Sequence, residues 1–357
     1  MHAGPHFPTH LHRLQSIYLQ AKLPSPTHYS IVFAQVDLVG KTQFVMKGAS
    51  KLEYVATRCA ICKTLGNSET VYDANIDDSA LSPKVFSARR LPDRIHYQWV
   101  RCKTCKLYRS DPILKSNLSA LYQKSTFDYS AELSGIKKTY VQITMRSLAP
   151  NRPQGSVLEV GGGNGFYLEA ALDCGFSEGI AVEPSIQAVN KSRPDIRKNT
   201  IVGVMEPGLV ENESQDFVAM FHVMDHLSEP LETVKACMLA LKPGGTLVVA
   251  VHNINSWSAR LLRSRSPIID VEHTYLYSRS TAKHIFKTAG LVNIKSHSYS
   301  NHYSLAYLLH LTPFPQKPKA WILNSAIGRI FQKVQVSLQL GNMWISGKKP
   351  EDGSSPT

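Results

Sequence analysis

The sequence predicts an α/β protein in which a doubly wound sheet follows a small N-terminal metal module, and three observations carry that prediction. From about residue 151 onward, short apolar runs alternate with helical patterns, as expected of a parallel sheet covered by helices on both faces. A glycine-rich turn, "VLEVGGGNG" at 157–165, joins the first apolar run to the first of those helices. Two Cys-x-x-Cys pairs, Cys59/Cys62 and Cys102/Cys105, precede the alternating region.

In chain order, residues 1–50 carry scattered His and Pro with little periodicity and read as a poorly structured tail. Residues 51–115 read as short strands and turns around the cysteines; in "RIHYQWVRC" Ile95, Tyr97 and Trp99 alternate with polar neighbours, as a strand entering a metal knuckle would. Residues 116–150 read as a helical connector, interrupted around Phe127–Ser130. After the linker "APNRPQG", the pattern gives strands at 156–160, 179–183, 200–204, 216–221 and 246–251, with helices at 164–174, 185–192 and 229–241. "LKPGG" at 241–245 closes the long helix; helix 278–289 and strand 291–299 follow, and this second domain extends over 151–300. A helical insert at 301–340 then precedes a final strand and tail at 341–357.

The chain has 357 residues, of which 43% are hydrophobic, which is enough for a sizeable core. No stretch approaches the roughly 18–20 uninterrupted apolar residues of a membrane span, and the N-terminus lacks a basic-then-apolar export pattern, so a cytoplasmic protein is expected. A net charge of +13 permits contact with nucleic acid, nucleotide-activated substrates or anionic surfaces without choosing among them.

Four of the six cysteines form the two knuckles, and a knuckle turns both thiolates toward one point. Two of them complete a four-sulfur shell suited to zinc, with Cys59, Cys62, Cys102 and Cys105 as ligands. The 39 residues between Cys62 and Cys102 exceed a compact ribbon spacing and require an inserted hairpin or loop. Four thiolates leave no open position on the metal, so its expected role is structural.

In Glu159-Val160-Gly161-Gly162-Gly163-Asn164-Gly165 the glycines let the backbone bend tightly and approach a ligand, and the next helix offers unpaired N–H groups. The dinucleotide spacing fails at Phe166 and the P-loop Lys-Ser/Thr is missing, so a phosphate ligand is disfavoured. Glu159 ends the first strand facing the turn, where it can attract a cation. Glu183 ends the second strand, about 20 residues on, where a carboxylate can accept ribose hydroxyls. A ribose with a positive centre and no pyrophosphate describes S-adenosylmethionine.

At this point the chain resembles the class I S-adenosylmethionine-dependent methyltransferases, whose fold is Rossmann-like, over about 155–300. The likeness rests on "VLEVGGGNG", "AVEP", the segment from "QDFVAMFHVMDHL" to "LKPGGTLVVAVHN", and "EHTYLYSRSTAKHIFKTAGL". It implies that Gly161, Gly163 and Gly165 lie under the methionine moiety, that Glu183 holds the ribose, that Met205 borders the adenine and that His222 lines the cofactor pocket. The cysteine segment resembles the zinc-binding module that precedes this domain in sugar C-methyltransferases and related small-molecule enzymes, with Lys106 where those carry glycine. "FDYS", with Tyr129, is similar to their tyrosine-rich connector, which closes over cofactor and substrate.

Methyl transfer from a sulfonium is an in-line displacement that needs alignment and, where the acceptor carries a proton, a base. His226, after the fourth strand, is the first choice for that base, with Tyr129 and His273 as further candidates. Asp225 could orient a neighbouring group. His222 and His226 are four residues apart, but a two-histidine metal site has no further ligands nearby in the sequence. His273 and Tyr275 stand where substrate-facing loops gather.

The expected function is therefore methyl transfer to a small polar molecule, a sugar nucleotide or related metabolite, at carbon or oxygen. An RNA methyltransferase with an RNA-binding zinc module is the alternative, although "FHVMDH" replaces the Asn/Asp-Pro-Pro-Tyr/Phe motif used for base amino groups. A non-catalytic zinc-ribbon binding protein is a third reading.

Overall fold

The computed structural model of the chain describes residues 53–76, 95–114, 133–312 and 316–351, and the backbone of Val32–Val36 and Thr42–Met46. The chain divides into two compact units, Met1–Leu52 and Glu53–Thr357. In the first, where the sequence shows little periodicity, Val32–Val36 pairs antiparallel with Thr42–Met46.

The second unit is organised by a seven-stranded sheet. Its strands are β1 (Ser156–Val160), β2 (Glu178–Glu183), β3 (Thr200–Val202), β4 (Gln215–Phe221), β5 (Leu241–His252), β6 (Val292–Ser298) and β7 (Asn342–Lys348). They lie side by side in the order 3-2-1-4-5-7-6. β1 is buried along its whole length, as is most of β5. That is why these strands read as near-continuous apolar runs rather than alternating ones.

The helices that frame the site are α1 (Leu133–Leu148), α2 (Phe166–Asp173), α3 (Pro230–Ala240) and α4 (Arg279–Thr288). Each starts where its chemistry favours a start. Pro230 supplies a pre-set φ in the first turn of α3. Ser278 and Thr281 form a capping box at α4, each side chain accepting the other's backbone N–H.

Two features refine the expected pattern. "LKPGG" is not a separate turn: α3 ends at Ala240 and β5 begins at Leu241, with Gln215 pairing Leu241 and a bulge before Phe217 pairs Thr246. The sheet is also not wholly parallel. β7 runs antiparallel to both β5 and β6 and lies between them, since the chain re-enters the sheet after the excursion at 301–340. That excursion is opened and closed by the antiparallel pair Asn301–Ser304 and Gln335–Leu338, with three short helices between.

The cysteine segment shares its sheet with the second half of the chain. Ser68–Tyr72, Trp99–Cys102 and Tyr108–Ser110 form a meander whose fourth strand is Tyr275–Leu276, immediately after His273. Cys59, Cys102 and Leu107 belong to the same apolar cluster as Leu158, Val218 and Leu247 of the central sheet. One core therefore supports both parts.

Candidate functional site

The glycine turn sits at the carboxyl end of β1. Gly161 and Gly162 both donate their N–H groups to the Val182 carbonyl, at 2.8 and 3.2 Å, which folds the turn against β2. Gly161, Gly163 and Gly165 have φ of 77°, 53° and 78°, a region that side-chain-bearing residues avoid. A Cβ on Gly161 would lie 2.2 Å from Val223 Cγ2. Gly161→Ala is therefore expected to lower the melting temperature by several degrees, from about 1–3 kcal/mol of backbone strain and the clash with Val223. Gly208 has φ of 85° and open space around it. Gly208→Ala provides the comparison: it should be milder, and equal melting losses would refute the role given to Val223.

Glu183 ties this turn to β2. Its two carboxylate oxygens accept the N–H of Gly163 at 2.8 Å and of Ser185 at 2.7 Å. An ionised carboxylate has about four acceptor positions, so capacity remains for two hydroxyls. Glu159 is 3% exposed, and burial pushes its carboxyl well above the usual range. Its Oε2 has no hydrogen-bond partner and lies 3.5 Å from where a Gly162 Cβ would be. A buried unpaired acceptor beneath a side-chain-free turn, beside a carboxylate with spare lone pairs, fits a cationic nucleoside. Met205 is buried in the core cluster at the far side of β3, and His222 follows β4 with φ of 53°.

Beyond the turn, the loops after β4 and β5 meet the loop before Tyr275. The residue next to His222 is Val223, which packs on Gly161, so these loops adjoin the glycine turn. They bring together His222, His226, His252 and His273 around Asp225. The ring pairs His222–His252, His226–His273 and His252–His273 have centroids 4.7, 4.8 and 5.2 Å apart. His226 Nδ1 lies 2.9 Å from the Glu272 carbonyl, His273 Nδ1 2.9 Å from the Ile268 carbonyl, and His252 Nδ1 3.0 Å from Asn342 Oδ1. His222 Nε2 is 2.9 Å from Tyr299 Oη. Burial pushes the His226 and His252 imidazoles below their ordinary value, so both are neutral at pH 7. Tyr140 stacks on Phe221 at 4.1 Å and extends an aromatic wall toward His222.

Three of the sequence candidates thus converge, His222, His226 and His273. Tyr275 does not point into the cluster: its hydroxyl donates to the Arg58 carbonyl at 2.9 Å, bracing the cysteine segment. Tyr129 lies outside the described residues. His252 and Tyr140 escaped the sequence reading. The signal for His252 was its place at the end of β5, beside β4, where ligands of such sheets gather.

The four cysteines come together as their spacing predicts. Cys59 and Cys105 sulfurs are 3.4 Å apart, Cys62 and Cys102 sulfurs 3.9 Å, and all four lie within 4.8 Å of one another. None is in a disulfide. Zinc with bonds of ~2.3 Å in a tetrahedron places its sulfurs about 3.8 Å apart, so the donor set fits. Without a cation the four cannot ionise together: a hydrogen bond from Cys105 brings the Cys59 thiol down to about 5, while the same contact holds Cys105 up.

Comparison with known proteins agrees with this geometry. Residues 133–296 match the family model described as a methyltransferase domain. A tRNA U34 carboxymethyltransferase of Desulfotalea psychrophila (strain LSv54 / DSM 12343) is 34% identical over 107 residues, which cover 28% of this chain and 32% of that protein. The match thus spans about a third of the relative's length. Among solved structures, a chain from the Haloferax volcanii complex of the Trm112 methyltransferase activator with a methyltransferase is similar at a TM-score of 0.44, with 19% identity over 64% of this chain and 96% of its own. A SAM-dependent methyltransferase from Archaeoglobus fulgidus is similar at a TM-score of 0.42, with 18% identity over 64% of this chain and 96% of its own. With its glycine turn, strand-end acid and sheet order, the chain carries a class I S-adenosylmethionine-dependent methyltransferase domain.

Proposed function

We propose that the protein methylates a small polar acceptor, a sugar nucleotide or related metabolite, at oxygen or carbon, and that a structural zinc on Cys59, Cys62, Cys102 and Cys105 holds the acceptor side in shape. Bound S-adenosylmethionine supplies the electrophilic methyl. Glu183 orients the ribose, Gly161, Gly163 and Gly165 make room for the methionine end, and Glu159 offsets its positive charge. The observation that carries the reading is the convergence of neutral imidazoles beside the glycine turn. A neutral imidazole takes an acceptor's O–H or acidic C–H proton near pH 7.

His226→Gln is expected to lower kcat by about 10²–10⁴ with little change in cofactor affinity. Burial lowers the His226 and His252 pKa values beneath the ordinary ~6.5. The base is active when neutral, so kcat/KM should stay level through neutral pH and fall only as pH drops below that value. The direct test is incubation with radiolabelled donor and a panel of nucleotide sugars. A second reading, transfer to tRNA, is favoured by the match to the carboxymethyltransferase and by the net charge of +13. Label incorporated into tRNA and into none of the nucleotide sugars would replace the first reading with the second.

A further inference from the structure

We propose a second metal site in the imidazole cluster, separate from the cysteines: a divalent first-row transition ion held by His226 Nε2, His273 Nε2 and the Asp225 carboxylate. The argument begins with Asp225. Its side chain is wholly buried, and neither carboxylate oxygen has a hydrogen-bond partner. Burying an unpaired carboxylate is costly, so something cationic has to face it.

What faces it are imidazole nitrogens. His226 Nε2 is 3.9 Å from Oδ1, and His273 Nε2 is 3.8 Å from Oδ2. The opposite nitrogen of each ring is committed. A carbonyl oxygen can only accept, so Nδ1 of His226, against Glu272, and Nδ1 of His273, against Ile268, must each carry the proton. In the neutral ring Nε2 is then a bare lone pair. Two bare lone pairs and two bare carboxylate oxygens therefore point at one small volume, and among the described groups facing it none supplies a donor. Acceptors turned on one another repel unless a cation lies between them.

The spacing favours an ion over a proton. A hydrogen bond would draw nitrogen and oxygen to about 2.7–3.2 Å, shorter than the observed gaps. An ion bonded at about 2.0–2.2 Å to each ligand spans them with the ligands drawn in by about half an ångström. The three ligand atoms already lie within 4.8 Å of one another. The backbone carbonyls behind both histidines are the outer support that metal-bound imidazoles use to fix tautomer and orientation. Two histidines and one carboxylate form an N/O set with open coordination positions, suited to zinc, cobalt or iron rather than to magnesium or calcium.

The loops are also fastened together. The Asp225 carbonyl accepts the N–H groups of Thr274 and Tyr275 at 2.8 and 3.1 Å, so the segment bearing His273 is docked on the one bearing Asp225 and His226. His252 Nε2 lies 3.9 Å from Asp225 Oδ2 and stays outside the ligand set. One consequence rests on the methyltransferase reading: an acceptor hydroxyl bound at an open position would be acidified by the ion, with its proton passing to His252 Nε2. The site itself stands without that reading.

The test is metal content and ligation in the full-length protein, with zinc and cobalt as probes. After equilibration with excess zinc and removal of unbound ion, the wild type should hold two ions per chain. With cobalt it should show a thiolate-to-metal charge-transfer band from the cysteine site together with a second spectrum lacking that band. His273→Ala and the isosteric Asp225→Asn should each reduce the count from two ions to one while the thiolate band persists. A wild-type count of one, fully accounted for by sulfur ligation in X-ray absorption, would overturn the site even if the variants failed to fold. Two ions retained in Asp225→Asn would also overturn it. None of these readouts depends on turnover, so failure of the acceptor assignment would leave them interpretable.

Discussion

Replacing Cys102 with serine, or stripping the protein with a strong chelator, is expected to lower the melting temperature by about 10 °C or more and to abolish methyl transfer. Structural zinc contributes roughly 10–16 kcal/mol of apparent binding free energy in small peptides, and even a fraction of that shifts a domain of this size by many degrees. Here the loss would not stay local. Cys59 and Cys102 are fully buried and share an apolar cluster with Leu158, Val218 and Leu247. The loop bearing His273 hangs on the same module: Ser110 N–H donates to the Thr274 carbonyl, Ser110 Oγ donates to the His273 carbonyl, and Tyr275 Oη donates to the Arg58 carbonyl, each at 2.9 Å. Loosening the sulfur site should therefore disorder an imidazole of the pocket, even though no sulfur reaches it. Differential scanning calorimetry with and without chelator, followed by zinc restoration, measures this. An unchanged melting temperature with full activity would mean that the four cysteines are ordinary packed thiols.

The central sheet was legible because its strands are buried on both faces, which leaves an apolar run in sequence wherever a strand lies. The glycine turn and Glu183 were legible because they are local: a strand end, a left-handed bend and a helix start occur within a few residues of one another. Three features were not. The antiparallel placement of β7 depends on where the chain re-enters the sheet, which no local pattern encodes. The pairing of Tyr275–Leu276 with Tyr108–Ser110 spans more than half the described chain, and a two-residue strand has no periodicity to find. The metal-like arrangement around Asp225 draws on residues 225, 226, 252 and 273 from three separate loops. His222 and His226 suggested a site in sequence, yet the partners of His226 lie after β5 and before Tyr275. Asp225, read as a possible orienting group beside His226, proves to be the buried centre of the cluster.

Glu183→Ala is expected to weaken S-adenosylmethionine and S-adenosylhomocysteine binding by about 10²–10⁴, since two hydrogen bonds to a charged acceptor, each of roughly 1.5–3 kcal/mol, would be lost. The carboxylate has two tasks that must be separated. It accepts the Gly163 and Ser185 N–H groups at 2.8 and 2.7 Å, so alanine would also leave two backbone donors without their partner and relax the turn. Glu183→Gln keeps one carbonyl acceptor and a similar shape, and should retain more of the turn than of the ribose contact. Calorimetric titration of both variants with S-adenosylhomocysteine, beside adenosine as a ligand lacking the amino-acid end, distinguishes the tasks. If the carboxylate holds the ribose, affinity for adenosine and for the full nucleoside should fall by similar factors. If it only holds the turn, glutamine should restore both, whereas unchanged binding in Glu183→Ala would remove the strand-end acid from the cofactor site altogether.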